Sequence, residues 1–455
     1  MKITSINPYT EEILEEFELL RQDQLNEEIH RSREAFLKWR SVGIPERTKH
    51  IHNLAAELMR EQKKYAATIT QEMGKPIKES LAEVEKCARL CEYYAENAEM
   101  FLEAEQIQTN EKKCYVSFEP LGIILAIMPW NFPFWQVFRC AVPAIVAGNV
   151  CVLKHASNVS RSALEIESVF SHAGFLQNIF KTLLIDAKSA AGLIEQDKVD
   201  AVSLTGSNRA GEQIGEIAGR KIKPIVLELG GSDPFIVLED ADVDKAAETA
   251  VKTRMLNAGQ SCVAAKRFIV SEKIAEKFSK KFIGTLQSLK IGDPMDVNTD
   301  MGPLARKDFV DELENQLRDA EQKGGKVFSL SKTKPEKGFF FTPCVVINTT
   351  DKMKIVTEEV FGPIAPIITV KNAEEAVQVA NTIEYGLGAS IWSKDTKKAE
   401  ELAKRIASGI VAINDMVKSD PRMPFGGIKK SGIGRELSHY GIKEFVNVKT
   451  VVVKS

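Results

Sequence analysis

Cys262 closes the stretch Asn257–Cys262, NAGQSC, which sets a potential nucleophile behind the flexible Gly259 in an otherwise apolar neighbourhood. A thiol reacts only as its thiolate, so such a site needs surroundings that stabilise negative charge or an adjacent base to take the proton. Glu228 is the candidate base. It stands in LELGG, where Ile225, Val226 and Leu227 read as a strand and Gly230-Gly231 as the turn that ends it. Desolvation at the end of a buried strand raises a carboxyl pKa, which lets the group exchange protons near neutrality. A lone cysteine is more often an inert, packed thiol, so the pair gains weight only from what accompanies it.

Four further motifs do accompany it. PWNFP, with Pro129, Trp130 and Asn131, follows an apolar run that reads as a buried strand. An open sheet has its ligand crevice there, and the Asn131 amide can donate to a developing oxyanion. Lys154-His155-Ala156-Ser157 follows a second such strand, offering an ammonium and a small hydroxyl to sugar hydroxyls or a phosphate. Gly206-Ser207 with Gly211 forms a strand-to-helix turn able to present backbone N–H groups to a pyrophosphate, although it is not the GxGxxG fingerprint. Glu358–Pro363, EEVFGP, supplies Glu359 for ribose hydroxyls and Phe361 for packing on a ring. Taken singly, each is equally well a turn or a capped surface loop.

These residues must be held by a large scaffold. With 455 residues, 44% hydrophobic and 27% charged, the chain has the composition of a soluble globular protein of two or three domains. A formal net charge of -2 gives no reason to expect nucleic acid or an anionic membrane as partner. The seven cysteines show no CxxC or zinc-ligand spacing, so no metal site is expected and a reducing compartment is the simplest reading. The N-terminus is polar and lacks a signal-peptide core, and the longest apolar run, Leu121–Pro129, is too short to span a bilayer, which together predict a cytoplasmic protein.

In chain order, Ile3–Asn7 reads as a short strand, followed by about a hundred residues of helical periodicity. The strands Cys114–Glu119, Leu121–Met128, Val150–Leu153 and Ala201–Leu204 come next, with a helix at Ser162–Phe170, an alternation that predicts a doubly wound α/β sheet. A second alternating set runs from the helix Asp242–Leu256 through the strands Arg267–Ser271, Cys344–Ile347, Ile364–Val370 and Ala389–Trp392 to the helix Lys394–Ala407. Phe445–Val453 reads as an exposed or pairing strand, and Thr333–Gly338 is the most linker-like stretch.

In this order, PWNFP, the Lys154 segment, Thr205-Gly206-Ser207, LELGG, NAGQSC, EEVFGP and PFGGIKKSG at 424–432 resemble the aldehyde dehydrogenase superfamily across essentially the whole chain. Glu72–Pro76, EMGKP, is similar to that family's N-terminal helix junction. The resemblance implies a Rossmann-like NAD(P)-binding domain (1–107 and 127–229), an α/β catalytic domain (230–425) and a β extension (108–126 and 440–455) that pairs subunits into a homodimer or homotetramer. It further implies Cys262 as nucleophile, Glu228 as general base, and Asn131 beside the Cys262 N–H as oxyanion donors. Pro129, Trp130, Lys154, Ser157, Gly206, Ser207, Glu359 and Phe361 would then contact the cofactor. The implied reaction oxidises an aldehyde to an acid through a thiohemiacetal and a thioester.

Three departures shape the expectations. Ser157 stands where many NAD-preferring relatives carry a glutamate, so NADP is expected to serve at least as well as NAD. Phe180–Ala187 lacks the glycine-rich turn many relatives have there. Ala264 replaces the second cysteine of a redox switch known in some relatives. For the substrate, Trp135 suggests an aromatic wall, while Arg139 and Ser419 resemble the anion pocket of the branch acting on succinic semialdehyde. That branch's second arginine is replaced by Leu256, with Arg254 and Lys418 nearby as candidates to compensate. A short ω-carboxylated aldehyde is therefore expected, against a reading in which Arg139 merely pairs with an acidic neighbour. A broad-specificity aldehyde dehydrogenase and a noncatalytic homologue are the alternatives. A cysteine hydrolase would need a histidine base that none of the six histidines is placed to supply.

Overall fold

The computed structural model describes residues 2–330 and 334–454, so Thr333, the first residue of the linker-like stretch, lies outside the described residues. The chain opens with a hairpin, β1 (Lys2–Ile6) and β2 (Ile13–Glu18), which pairs antiparallel. The second strand was not expected from the sequence. ILEEFE is nearly all acid on its exposed face, and only Phe17 is buried. Four helices follow, α1 (Gln22–Trp39), α2 (Ile44–Arg60), α3 (Gln62–Met73) and α4 (Ile77–Leu102). Their apolar stripes, among them Leu25, Ile29, Phe36 and Trp39 on α1 and Ile51, Leu54 and Leu58 on α2, are buried against the first large sheet.

After β3 (Glu105–Ile107) and β4 (Lys113–Pro120) come β5 (Ile123–Met128), α5 (Pro133–Val146), β6 (Val150–His155), α6 (Ser160–His172), β7 (Phe180–Thr182), α7 (Ala187–Glu195), β8 (Ala201–Thr205), α8 (Asn208–Arg220) and β9 (Ile225–Glu228). Strands β5 to β9 are mutually parallel, and their apolar residues are buried on both faces, as a sheet covered by helices requires. The central β5 lies between β6 and β8, so successive connections leave it in opposite directions and open a crevice at the carboxyl ends of the strands.

The second half contributes β10 (Asp233–Val237), α9 (Val243–Met255), β11 (Ala265–Ser271), α10 (Ala275–Gln287), α11 (Lys307–Gln322), β12 (Lys326–Ser329), β13 (Cys344–Ile347), β14 (Ile364–Val370), β15 (Gly388–Trp392) and β16 (Ile410–Ile413). They form a seven-stranded sheet in the order β12-β13-β14-β11-β10-β15-β16, parallel except for β12. Strand β10 went unread in the sequence because Pro234 interrupts its short apolar run. The helix expected at Lys394–Ala407 spans only Thr396–Ala403. The chain then returns to the first sheet, where β17 (Gly432–Ile433) pairs antiparallel with β9, and ends in β18 (Val446–Val453), which pairs with β4 in a three-stranded sheet.

Candidate active site

Cys262 stands on a turn of unusual backbone. Beyond α9, Asn257, Ala258 and Gly259 take φ values of 52°, 52° and 77° in succession. For Ala258 the left-handed region costs about 1–2 kcal/mol, and such strain collects at functional sites. At Gly259 a side chain is also excluded by space, since a Cβ would lie 2.5 Å from the Gly362 backbone. EEVFGP therefore packs directly on NAGQSC.

Side chains of the motif tie this turn to PWNFP. Asn257 Nδ2 donates to the carbonyls of Asn131 (2.8 Å) and Gln260 (3.2 Å), and Asn131 Nδ2 donates to the Gln260 carbonyl at 3.0 Å. Gln136 Nε2 donates to Asn131 Oδ1 at 3.0 Å, which fixes the orientation of the Asn131 amide. One Asn131 hydrogen remains for an oxyanion, and the Cys262 backbone N–H makes no hydrogen bond among the described residues.

Helix α5 carries Trp135, Gln136 and Arg139, and a carboxylate from α4 holds its start. Glu83 Oε1 accepts from the N–H groups of Phe134 (2.9 Å) and Trp135 (3.0 Å), two of the donors a helix N-terminus leaves unpaired. Glu83 is also ion-paired to Lys75, and both are buried. Lys75 belongs to EMGKP, as does Glu72, which accepts from Ser5 Oγ, Arg161 N and Ser162 N at the start of α6. The helix junction thus anchors two helices of the first sheet.

Glu228 is 2% exposed, and its carboxyl makes no side-chain hydrogen bond among the described residues. Burial pushes its pKa up to about 8, opposed by the positive charge of Arg139 and reinforced by Glu436. The Cys262 thiol is pushed up to about 12 by burial and then by Glu228. The resting site accordingly holds a thiol rather than a thiolate. Lys266 Nζ donates to the Cys262 carbonyl at 2.7 Å and pairs with Glu359 at 3.1 Å. Glu359 also accepts from Gly231 N at 3.2 Å. Both LELGG glycines are needed for this approach: a Cβ on Gly230 would lie 2.5 Å from Glu359 Oε2, and one on Gly231 2.9 Å from the Cys262 carbonyl oxygen.

A cavity of about 100 Å³ adjoins the thiol, lined by Cys262, Trp135, Arg139, Ser419, Phe425 and Lys86 among others. Arg139 is 2% exposed, lies over the Phe425 ring (4.5 Å) and approaches Glu436 at 2.8 Å. It does have an acidic partner, then, but one far along the chain rather than on its own helix. Neither residue named as a possible substitute for the missing arginine acts as one. Arg254 is fully buried and donates to the carbonyls of Ala265 (3.2 Å) and Val360 (2.9 Å). Lys418 is exposed and pairs with Asp415 at 2.6 Å. Beyond Lys86, Phe132, Trp135 and Leu256, the cavity adjoins an outer one of about 560 Å³.

The residues expected to meet a cofactor lie at the strand ends of the first crevice. Pro129 and Trp130 follow β5, Lys154 and Ser157 end and follow β6, and Gly206 and Ser207 follow β8. Trp130 stacks on Phe309 (4.9 Å) and meets Phe361 edge-on (5.8 Å). Ser207 caps α8, its hydroxyl accepting from Ala210 N at 3.3 Å. Lys154 makes no ion pair among the described residues, burial lowers its pKa, and Ser157 is exposed. Asp186 is near enough to act on Lys154 but is itself engaged, accepting from Ser189 N at 2.7 Å. An unpaired ammonium beside a neutral hydroxyl suits a ribose carrying a phosphate.

Sequence reasoning missed Glu83, Lys86, Gln260, Lys266 and Glu436. A signal existed for α4, where Glu79, Glu83 and Lys86 recur at helical spacing on one face. Glu436 carried none, because only the return of the chain along β17 brings it to Arg139.

Proteins similar to this chain match it over nearly its whole length. A probable succinate-semialdehyde dehydrogenase [NADP(+)] of Synechocystis sp. is 45% identical over 451 residues, covering 99% of each chain. Succinate-semialdehyde dehydrogenase [NADP(+)] 1 of Mycobacterium tuberculosis is 43% identical over 454 residues, again with 99% of each chain covered. The crystal structure of succinic semialdehyde dehydrogenase from Streptococcus pyogenes in complex with NADP+ superposes with a TM-score of 0.97, at 36% identity and full coverage of both chains. The model of the aldehyde dehydrogenase family matches residues 1–451, and the chain belongs to that family.

Proposed function

We propose that the protein oxidises succinate semialdehyde to succinate, using NADP in preference to NAD. The observation that carries this reading is one small cavity lined by Cys262, Arg139, Lys86 and Ser419, so that a carbonyl at the sulfur leaves an attached carboxylate near cationic and hydroxyl donors. The names of the relatives from Synechocystis and Mycobacterium support it.

As the Cys262 sulfur attacks the aldehyde carbon, its S–H bond breaks and the proton passes to solvent water. Asn131 Nδ2 and the Cys262 N–H receive the resulting oxyanion, and their placement before reaction is what makes such donors effective. The bound dinucleotide, held by Lys154, Ser157, Gly206, Ser207 and Glu359 with Trp130 and Phe361 alongside, supplies the hydride acceptor. Glu228 then takes a proton from water as its oxygen adds to the thioester, releasing the acid and restoring the thiol.

In this reading residues 1–107 and 127–229 bind the nucleotide and 230–425 carry the thiol. The segments 108–126 and 440–455 pair subunits into a homodimer or homotetramer in the cytoplasm. No helix among the described residues is long and apolar enough to cross a membrane. The test is the rate of cofactor reduction across a panel of aldehydes with NADP and NAD. Highest kcat/KM for succinate semialdehyde with NADP is expected. A neutral aldehyde at the top of the panel would replace the proposal by a broad-specificity oxidation, and no turnover of any aldehyde by a noncatalytic role.

A further inference from the structure

Three cations line the inner cavity, and two of them have an acidic partner. Arg139 lies 2.8 Å from Glu436, although its Nε and Nη2 make no hydrogen bond among the described residues, and Lys418 pairs with Asp415 at 2.6 Å. Lys86 alone of the lining cations has no acidic partner among the described residues, and the acids nearest to it are taken. Glu83 pairs with Lys75 and Asp420 with Arg422 (2.7 Å). Lys86 Nζ instead donates to Ser419 Oγ at 2.6 Å and rests over the Trp135 ring at 4.2 Å. It therefore stands where the inner cavity opens to the outer one, beside the apolar Leu256.

We infer that Lys86 is the cation that recognises the far carboxylate of the substrate, acting together with Ser419, while Arg139 is held in charge balance by Glu436. This rests on the proposed oxidation of succinate semialdehyde and names the group that selects it. Lys86 and Arg139 are like charges facing one cavity, and Arg139 raises the cost of charging Lys86 until an anion lies between them. Burial and Arg139 together bring the Lys86 pKa down to about 8, against the pull of Glu83, Cys87 and Asp420. A bound carboxylate relieves that strain and receives a charge-assisted hydrogen bond from Nζ. The Trp135 face steadies the ammonium without neutralising it, which leaves its charge available to an incoming anion.

The test compares kcat and KM for succinate semialdehyde and butanal in the wild type and in Lys86→Met and Lys86→Arg. Losing a hydrogen bond to a charged group lowers the succinate semialdehyde to butanal ratio of kcat/KM by about 10–100-fold in Lys86→Met, carried mainly by KM. Lys86→Arg restores most of that ratio, which a packing role for the lysine stem would not require. Competitive inhibition by succinate should weaken in parallel in Lys86→Met. Equal losses for the two aldehydes, or an unchanged ratio, would overturn the assignment of Lys86 while leaving the proposed reaction in place. A wild type that turns over butanal but not succinate semialdehyde would overturn the reaction itself.

Discussion

Replacing Glu228 by glutamine tests the chemistry at its most exposed step. With its pKa at about 8, the carboxyl is about nine-tenths protonated at pH 7. Glutamine copies that neutral majority form, so the variant should fold, bind cofactor and form the thioester. What it lacks is the minority carboxylate that activates water. A positioned general base contributes about 10²–10⁴-fold, so acid release should slow by that factor, or roughly 3–5 kcal/mol in barrier. Stopped-flow mixing with excess aldehyde should show a burst of reduced cofactor equal to the enzyme sites, followed by a nearly flat steady state. In the wild type the acid-release rate should rise with pH as the base loses its proton, about fivefold from pH 7 to pH 8, and level off about one unit higher. Loss of burst amplitude and steady state together, or a wild-type rate indifferent to pH between about 6 and 9, would refute the assignment of Glu228.

Ser157→Glu places a carboxylate against a ribose phosphate beside Lys154, and should shift the NADP to NAD ratio of kcat/KM toward NAD by about tenfold or more, from roughly 1–3 kcal/mol of lost and repulsive contacts. Initial rates with each cofactor measure it, and an unchanged ratio counts against the placement of Ser157. Lys75→Met leaves Glu83 buried without its partner, which should cost about 3–5 kcal/mol of stability, read as a lower urea midpoint, and loosen the start of α5. Gly259→Ala forces a Cβ toward the Gly362 backbone at a φ of 77°, and should lower kcat by about tenfold or more through displacement of Cys262, with the folded state retained on circular dichroism.

The parallel strands were legible because residues buried on both faces write themselves as unbroken apolar runs, as at 121–128 and 150–153. Cys262, Glu228 and Asn131 stood out in the sequence because each sits at a strand or helix end among glycines and prolines, where local sequence constrains the backbone. Strands β2 and β10 were not, since acidic residues in one and a proline in the other hide the period. Lys86 and Glu436 were out of reach for another reason: they meet Ser419 and Arg139, hundreds of residues away along the chain. The resting state of the thiol was also hidden. Its neighbours suggest an activated nucleophile, whereas burial keeps the proton on sulfur.

Strand β17 gives the order of synthesis a chemical meaning. Cys262 and Glu228 are both present once little more than half the chain has been made. Yet the wall that encloses them is supplied late, by Phe425 over Arg139, by the Gly432 pairing against Glu228, and by Glu436 opposite Arg139. Without those residues β9 would be the edge strand of its sheet, and Glu228 would lack the surroundings that raise its pKa. A chain made only that far holds the thiol and the carboxyl but not the wall that encloses them.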